Sequence, residues 1–310
     1  ALAAVKTGEE VSRDTALPGA VLTRGASSHL RVGTFHYFAA RDDIENLVTL
    51  LAYTISRLFP DAKSPGDVLA AAVDAQAKLI AQWIGVGFIH GVMITDYAHI
   101  AGITIDYGPC AFMDGFHPMK VFSSIDHGGR YAFSNHPNIA AWNMAQFATA
   151  LLPLMPYREE AIEHFTEIVN GYGPKFVKAY SDTYAAKLGL PSERAAEIAP
   201  TADGNDPLLA PLLKMMADTT ADYTQTFYAL RTGDDLNAIA QHPDFDAWHA
   251  TWRDAATNTT RMETANPAMV PRNHRIDEMI QAATPFDISD PALTEAPSPQ
   301  NEVTATFCGT

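Results

Sequence analysis

The sequence predicts an α+β chain that is mostly α. Three observations carry that prediction. Apolar residues recur at helical spacing over most of the chain beyond residue 43. β-branched and aromatic runs separated by turn residues are confined to the first forty positions. Between 85 and 135 the helical period fades, and Gly, Asp, His and aromatic residues become dense.

At the front, Gly19 to Thr23 and Leu30 to Phe38 read as short strands. A helix is expected from about Asp43 to Phe59, with Ile44, Leu47, Val48, Leu51, Ile55 and Leu58 on one face and Pro60 as its stop. Ser64 and Pro65 form an N-cap and first-turn pair for a second helix. Its stripe is Val68, Leu69, Ala72, Val73, Ala75, Leu79, Ile80 and Trp83, broken by Gln76, and Gly85 and Gly87 end it. Further helices are expected at about 138–152, 158–170, 174–187, 206–217, 219–231, 244–256 and 271–283. Trp142, Phe147, Trp248 and Trp252 fall in these helices and read as core. Pro285, Pro291, Pro297 and Pro299 mark an irregular tail.

Composition narrows the functional classes. The chain has 310 residues, room for about two domains of ordinary size. Lys and Arg total 21 against 36 Asp and Glu, a net charge of −15, which argues against coating nucleic acid. Trp83 to Ile89 and Phe147 to Met155 are apolar but too short to span a bilayer. Ala1 to Asp14 has no apolar core of a signal peptide. The first residue is Ala, which reads as a processed chain or one lacking an upstream part. Two cysteines, Cys110 and Cys308, make no disulfide framework.

The informative segment is His90 to Gly108, HGVMITDYAHIAGITIDYG. A tight hairpin about Gly102 would return the chain so that Asp96 and Asp106 face one another. Two carboxylates so placed suit a Mg²⁺–nucleotide site, because magnesium takes hard oxygens. Protein kinases follow the same logic, with a catalytic-loop Asp, a short hairpin and then the metal-binding Asp of a DFG turn, here Asp106-Tyr107-Gly108. On spacing alone, the favoured reading is that both Asp residues cap turns. Arg24 and Arg31 could grip phosphate from adjoining strands, or remain solvated. His90, Asp96, His99, Asp106, Asp114, His117, Asp126 and His127 also invite a metal-hydrolase reading, although no HExxH spacing occurs. His90 beside an apolar strand reads as a hydrogen-bonded structural residue. Glycine-rich phosphate loops and GxSxG are absent. Cys110 lacks a paired base and reads as packing.

The chain resembles the selenoprotein O family, also called YdiU, over nearly its whole length. LPGAVLTR at Leu17 to Arg24, SHLRVGTFHYFAAR at Ser28 to Arg41, GFIHGVMITD at Gly87 to Asp96 and TIDYGPCAFMD at Thr104 to Asp114 carry the likeness. So do FSSIDHGGRYAFSNHPNIAAWN at Phe122 to Asn143, NPAMVPRNH at Asn266 to His274, and the ending TFCGT. The resemblance implies a protein-kinase-like C-lobe with a helical C-terminal extension and no N-terminal lobe in this chain. It divides the chain into a kinase-like segment (1–135), a helical extension (136–284) and a tail (285–310). It implies transfer of AMP from ATP to Ser, Thr or Tyr hydroxyls of proteins, with Mg²⁺ or Mn²⁺. Asp96 then matches the catalytic base, Asp106 the metal-binding Asp, and Arg24 and Arg31 the nucleotide-binding arginines. The family usually reads HGVMNTDN; here Ile94 and Tyr97 replace the two Asn residues, the second of them a metal ligand. Those departures leave a second reading, a degenerate non-catalytic chain that binds nucleotide or a partner protein. Cys308 matches the family's redox-linked position, and Cys110 is the internal cysteine with which it could pair. The implied location is the cytoplasm of a bacterium, or the mitochondrion in a eukaryote, without membrane or nucleic-acid partners.

Overall fold

The computed structural model describes residues 2–12, 16–200 and 206–282. The proline-rich tail and Cys308 lie outside them, so the expectations placed there go no further. The described chain is mostly helical, with two small antiparallel sheets.

The first sheet is a ribbon of β1 (Ala3–Ser12) and β2 (Ala16–Thr23). The strand expected at 19–23 is therefore present, and β1 is a strand the sequence reading missed. Nearly every ribbon residue is exposed, so apolar alternation had little to report. The ribbon matters because Arg24 follows directly on its last residue.

Leu30 to Phe38 does not form the expected strand; it enters helix α1 (Val32–Ala39). The Arg31 N–H donates to Thr34 Oγ1 at 3.2 Å, satisfying one donor at the helix start. Val32 and Phe35, one turn apart, are fully buried, and the Phe35 ring meets Phe147 edge-on at 4.9 Å. Strand propensity describes fit to a pleated surface, and this tertiary packing overrides it.

Helix α2 (Ile44–Leu58) begins at the Asp43 cap and ends before Pro60, as the sequence predicts. Its apolar stripe is only partly used. Leu47 is buried, whereas Ile44 and Val48 are exposed. Helix α3 (Pro65–Gly85) is the central element. Ser64 accepts from the Asp67 N–H at 3.1 Å and Pro65 opens the first turn. Gln76, the polar break, is buried and donates through Nε2 to the His99 carbonyl at 2.5 Å. That bond ties the helix to the loop that carries Asp96.

After β3 (Phe88–Ile89) and β4 (Ala111–Phe112), which pair with each other, the chain is helical. α4 (His136–Leu151), α5 (Arg158–Asn170) and α6 (Tyr172–Lys187) pack on α3. α7 (Leu209–Thr219), α8 (Tyr223–Thr232), α9 (Asn237–Ala240), α10 (Phe245–Ala255), α11 (Thr259–Ala265) and α12 (Asn273–Ala282) follow. The short α9 and α11 were missed, since neither is long enough to display a period. One hydrophobic cluster runs from Val32 to Met262 and includes Phe147, Trp248 and Trp252. Trp142 is not core. It is 41% exposed, with the Arg130 guanidinium 5.0 Å above its ring.

Lys187, at the end of α6, is buried beneath the Phe227 ring, its Nζ 4.1 Å from the ring centroid. Burial pulls its pKa down from 10.5 to about 7. The unfolded chain therefore holds this proton up to near 10.5, while the fold releases it near 7. Lys187 consequently costs most below pH 7, and that cost disappears as pH rises toward 10.5. Lys187→Met is expected to raise stability by about 1–4 kcal/mol at about pH 6, and by less at about pH 10. Urea unfolding at the two pH values measures both.

Candidate active site

Three segments converge on Asp106. The first is the end of the ribbon. Arg24 Nη1 donates to the Ile105 carbonyl and lies 3.4 Å from Asp106 Oδ1. The second is the entry to α1. Arg31 forks onto Asp106, Nε to Oδ2 and Nη2 to Oδ1, the latter at 2.9 Å. Its remaining nitrogen, Nη1, donates to the His29 carbonyl at 2.9 Å. The third is the loop from β3 to β4, which carries both Asp residues.

Backbone bonds lock the first half of that loop to the α1 entry. Val32 N–H donates to the Ala98 carbonyl (2.9 Å), Gly33 N–H to Thr95 (3.0 Å), and Ile100 N–H to Leu30 (3.2 Å). The expected turn is present, with the Gly102 N–H on the His99 carbonyl at 3.0 Å and φ of +63° at Gly102. It is not the expected hairpin. The ladder pairs Phe88 and Ile89 with Phe112 and Ala111, farther from the turn.

His90 supports Asp106 from below. Its Nε2–H donates to the Asp106 carbonyl at 2.8 Å, and its own N–H donates to His136 Nε2 at 3.3 Å. His136 Nδ1–H completes the chain at the Phe133 carbonyl, 2.8 Å away. His136 must be neutral, since it accepts on Nε2 while donating from Nδ1, and burial pushes both histidines toward the neutral form, His136 to about 4. His90 is thus hydrogen-bonded, as its sequence context suggested. Its place under Asp106 was not legible from that context.

The electrostatics follow from this packing. Burial raises the Asp106 carboxyl, but the Arg31 hydrogen bonds and the Arg31 and Arg24 charges more than offset it, so its pKa lies below the usual value. Arg31 is raised in turn, first by its hydrogen bond to Asp106, with the charges of Asp106 and Asp96 adding. Asp96 is exposed and lies against Gly33. A Cβ on Gly33 would come within 1.9 Å of Asp96 Oδ1 and 3.2 Å of Asp96 Cα. A side chain at this position fits only if the Asp96 carboxylate turns away. The clue in the sequence was an isolated Gly within an apolar run, a common mark of close backbone approach. Gly33→Ala is expected to turn the Asp96 carboxylate aside and cut any Asp96-dependent turnover about tenfold or more. Steady-state rates, with melting temperature as a control for folding, give the measure.

The broader His and Asp cluster does not converge. Among the described residues no group of three or more His, Cys, Asp or Glu side chains could hold a metal ion. His99 donates through Nε2 to the Ser28 carbonyl at 2.7 Å and accepts the Ala101 N–H on Nδ1. Asp126 caps a turn by accepting the Arg130 and Tyr131 N–H groups. Asp114 faces Arg272. Burial raises the Cys110 thiol pKa, which fits packing rather than nucleophilic attack. No described helix is long and apolar enough to cross a membrane.

Comparison with known proteins decides the family. The family model described as "Protein adenylyltransferase SelO" matches residues 1–292. The chain belongs to the SelO family. The "Protein nucleotidyltransferase YdiU" of Jannaschia sp. (strain CCS1) is 49% identical over 340 residues, covering 100% of this chain and 69% of the relative. Its namesake from Ruegeria pomeroyi is 48% identical over 332 residues, with the same coverage. The one from Bradyrhizobium sp. (strain ORS 278) is 44% identical over 348 residues. Each aligned span exceeds 310 residues, so these relatives carry extra residues within the match. As a SelO member the chain falls among protein nucleotidyltransferases, and a nucleotide is the substrate that class implies.

Within a SelO chain, magnesium would need hard oxygen ligands, ordinarily one or two carboxylates together with phosphate oxygens and water. Asp106 fits that description. Tyr97 does not, since a neutral phenol is a poor magnesium ligand, and its ring leans on His90 with centroids 5.9 Å apart. Asp106 would therefore be one ligand, and among the described residues no further His, Cys, Asp or Glu cluster stands ready to complete a metal site.

Proposed function

We propose that this chain transfers AMP from ATP to Ser, Thr or Tyr hydroxyls of proteins, at the site formed by Arg24, Arg31, Asp96 and Asp106. The observation that carries the reading is the convergence of both arginines on Asp106, beside the loop of Asp96, in a SelO-family chain. Residues 1–135 then act as a kinase-like segment bearing the site, and 136–284 as a helical extension that supports it.

In this reading the guanidinium groups of Arg24 and Arg31 hold the phosphate oxygens, on which charge gathers during transfer. Asp106 would hold Mg²⁺ or Mn²⁺, which supplies further neutralisation of that charge. Asp96 orients the acceptor hydroxyl and takes its proton. The hydroxyl oxygen forms a bond to the α-phosphorus, the bond to the β-phosphate bridging oxygen breaks, and pyrophosphate leaves.

A specific observation favours the second reading, a degenerate chain that binds nucleotide without turnover. Tyr97 occupies the position of a metal-ligating Asn and packs on His90 instead. One experiment addresses both. ATP labelled at the α-phosphate, supplied with Mg²⁺ or Mn²⁺ and a protein acceptor, is expected to label protein, and ATP labelled at the γ-phosphate is not. Label from the γ-position would overturn the assignment in favour of a phosphoryl transferase. No α-label from the wild type, but label from Tyr97→Asn at about tenfold above background or more, would identify Tyr97 as the block.

A further inference from the structure

Asp106 is the carboxylate that fits a metal ion at this site, yet both of its oxygens are already taken. The Arg31 fork engages each oxygen with a separate nitrogen, and Arg24 stands 3.4 Å from one of them. Paired N–H bonds of this kind are strong and directional, so the fork takes one lone pair on each oxygen and excludes a metal ion from bridging the two. The guanidinium that faces this edge of the carboxylate also opposes an approaching dication.

The two sides of the contact differ in freedom. Asp106 is held in place. Its carbonyl is bound by His90, the preceding Ile105 is buried, and its side chain is only 10% exposed. The Arg31 side chain is 25% exposed and that of Arg24 is 40%, so both have a way out. Displacement at this contact therefore moves the arginines, not the carboxylate.

We propose that Arg31 is a built-in counter-cation that keeps Asp106 closed to divalent metal until nucleotide phosphates draw the guanidinium away. The proposal rests on the reading of this site as a nucleotide site. Phosphates compete for Arg31 with more charge than one carboxylate offers, and the freed Asp106 then receives the metal. Metal and nucleotide bind as a coupled pair, and the coupling is the same in both directions. A protein that holds metal alone poorly does not assemble half of its site. Tyr97 reinforces this dependence, because the neighbouring position supplies no amide ligand that could hold the metal in the nucleotide's absence.

The test is Mn²⁺ binding without nucleotide, read from the electron paramagnetic resonance signal of free Mn²⁺. Wild type is expected to bind weakly. Arg31→Gln is expected to bind about tenfold tighter or better, a change of about 1.4 kcal/mol. Adding Asp106→Asn to Arg31→Gln is expected to remove the gain, which assigns it to this carboxylate. Equal Mn²⁺ affinity in wild type and Arg31→Gln overturns the proposal, as does a gain that survives Asp106→Asn. Circular dichroism checks the fold of each variant. Arg31→Lys, which keeps the cation but cannot make the fork, takes the place of Arg31→Gln if that variant unfolds, with a smaller gain expected. A separate arm adds a non-hydrolysable ATP analogue with Mn²⁺ to the wild type. Failure to bind there counts against the nucleotide reading, whereas the Mn²⁺ comparison judges the Arg31 fork by itself.

Discussion

Asp106→Ala is expected to lower AMP transfer by about a thousandfold or more, since it removes the carboxylate that would hold the metal against the phosphates. The same change frees Arg31 and Arg24 from their shared partner. Metal-free binding of a nucleotide analogue is therefore expected to strengthen while turnover collapses. That opposite pair of effects separates a loss of chemistry from a loss of fold. Initial rates with α-labelled ATP and a fluorescence titration with the analogue give the two readings. Retention of the transfer rate in Asp106→Ala would remove Asp106 from the mechanism.

The largest effect on stability is expected from a residue outside that site. Arg272 is 1% exposed and bridges two carboxylates. Its Nη1 contacts Asp114 and reaches Asp222 Oδ2 at 2.7 Å, and its Nη2 reaches Asp222 Oδ1 at 3.1 Å. Asp222 also caps α8, accepting the Gln225 N–H at 2.8 Å. Two backbone bonds run alongside, Tyr223 N–H to the Asp114 carbonyl and Phe116 N–H to the Ala221 carbonyl, each 2.8 Å. The bridge thus fastens the segment after β4 to the start of α8 and to the approach to α12. Burial outweighs the opposing pull of Arg272 and raises the Asp114 pKa, so this carboxyl already sits in a costly environment. Arg272→Met would leave the buried Asp114 carboxyl and the half-buried Asp222 carboxyl without their shared cation. A loss of about 3–5 kcal/mol is expected, measured by urea unfolding. Arg272→Lys restores charge without the fork and is expected to recover only part of it. Full stability in Arg272→Met would show that the bridge contributes nothing to the fold.

Legibility in the sequence tracked how local each signal was. Helix α3 was readable in detail, because its cap, its first-turn proline and its stripe all lie within one segment. α1 was misread, because the reason it is a helix is Phe147, more than a hundred residues away. At the candidate site, Arg24, Arg31, Asp96 and Asp106 were named from motif and resemblance. Gly33 and His90 were not assigned their places beneath and beside the carboxylates, since a close approach and a supporting hydrogen bond leave no period or spacing. The eight His and Asp positions between 90 and 127 showed the converse. Their density suggested a metal cluster, and the fold sends His99, Asp126 and Asp114 to separate partners.

The sequence by itself determined the helical class, most helix positions, the family, and which charged residues deserved attention. Those follow from short-range periodicity and from motifs that survive as strings of residues. Only the tertiary structure decided which charges meet. Asp106 and Arg31 are 75 residues apart, and Asp114 and Arg272 are 158 apart. An ion pair depends on distance in space and on exclusion of water, and neither is encoded at any one position. Packing α1 on α4 and the 93–108 loop on α3 turns two ordinary arginines into the partners of one half-buried carboxylate.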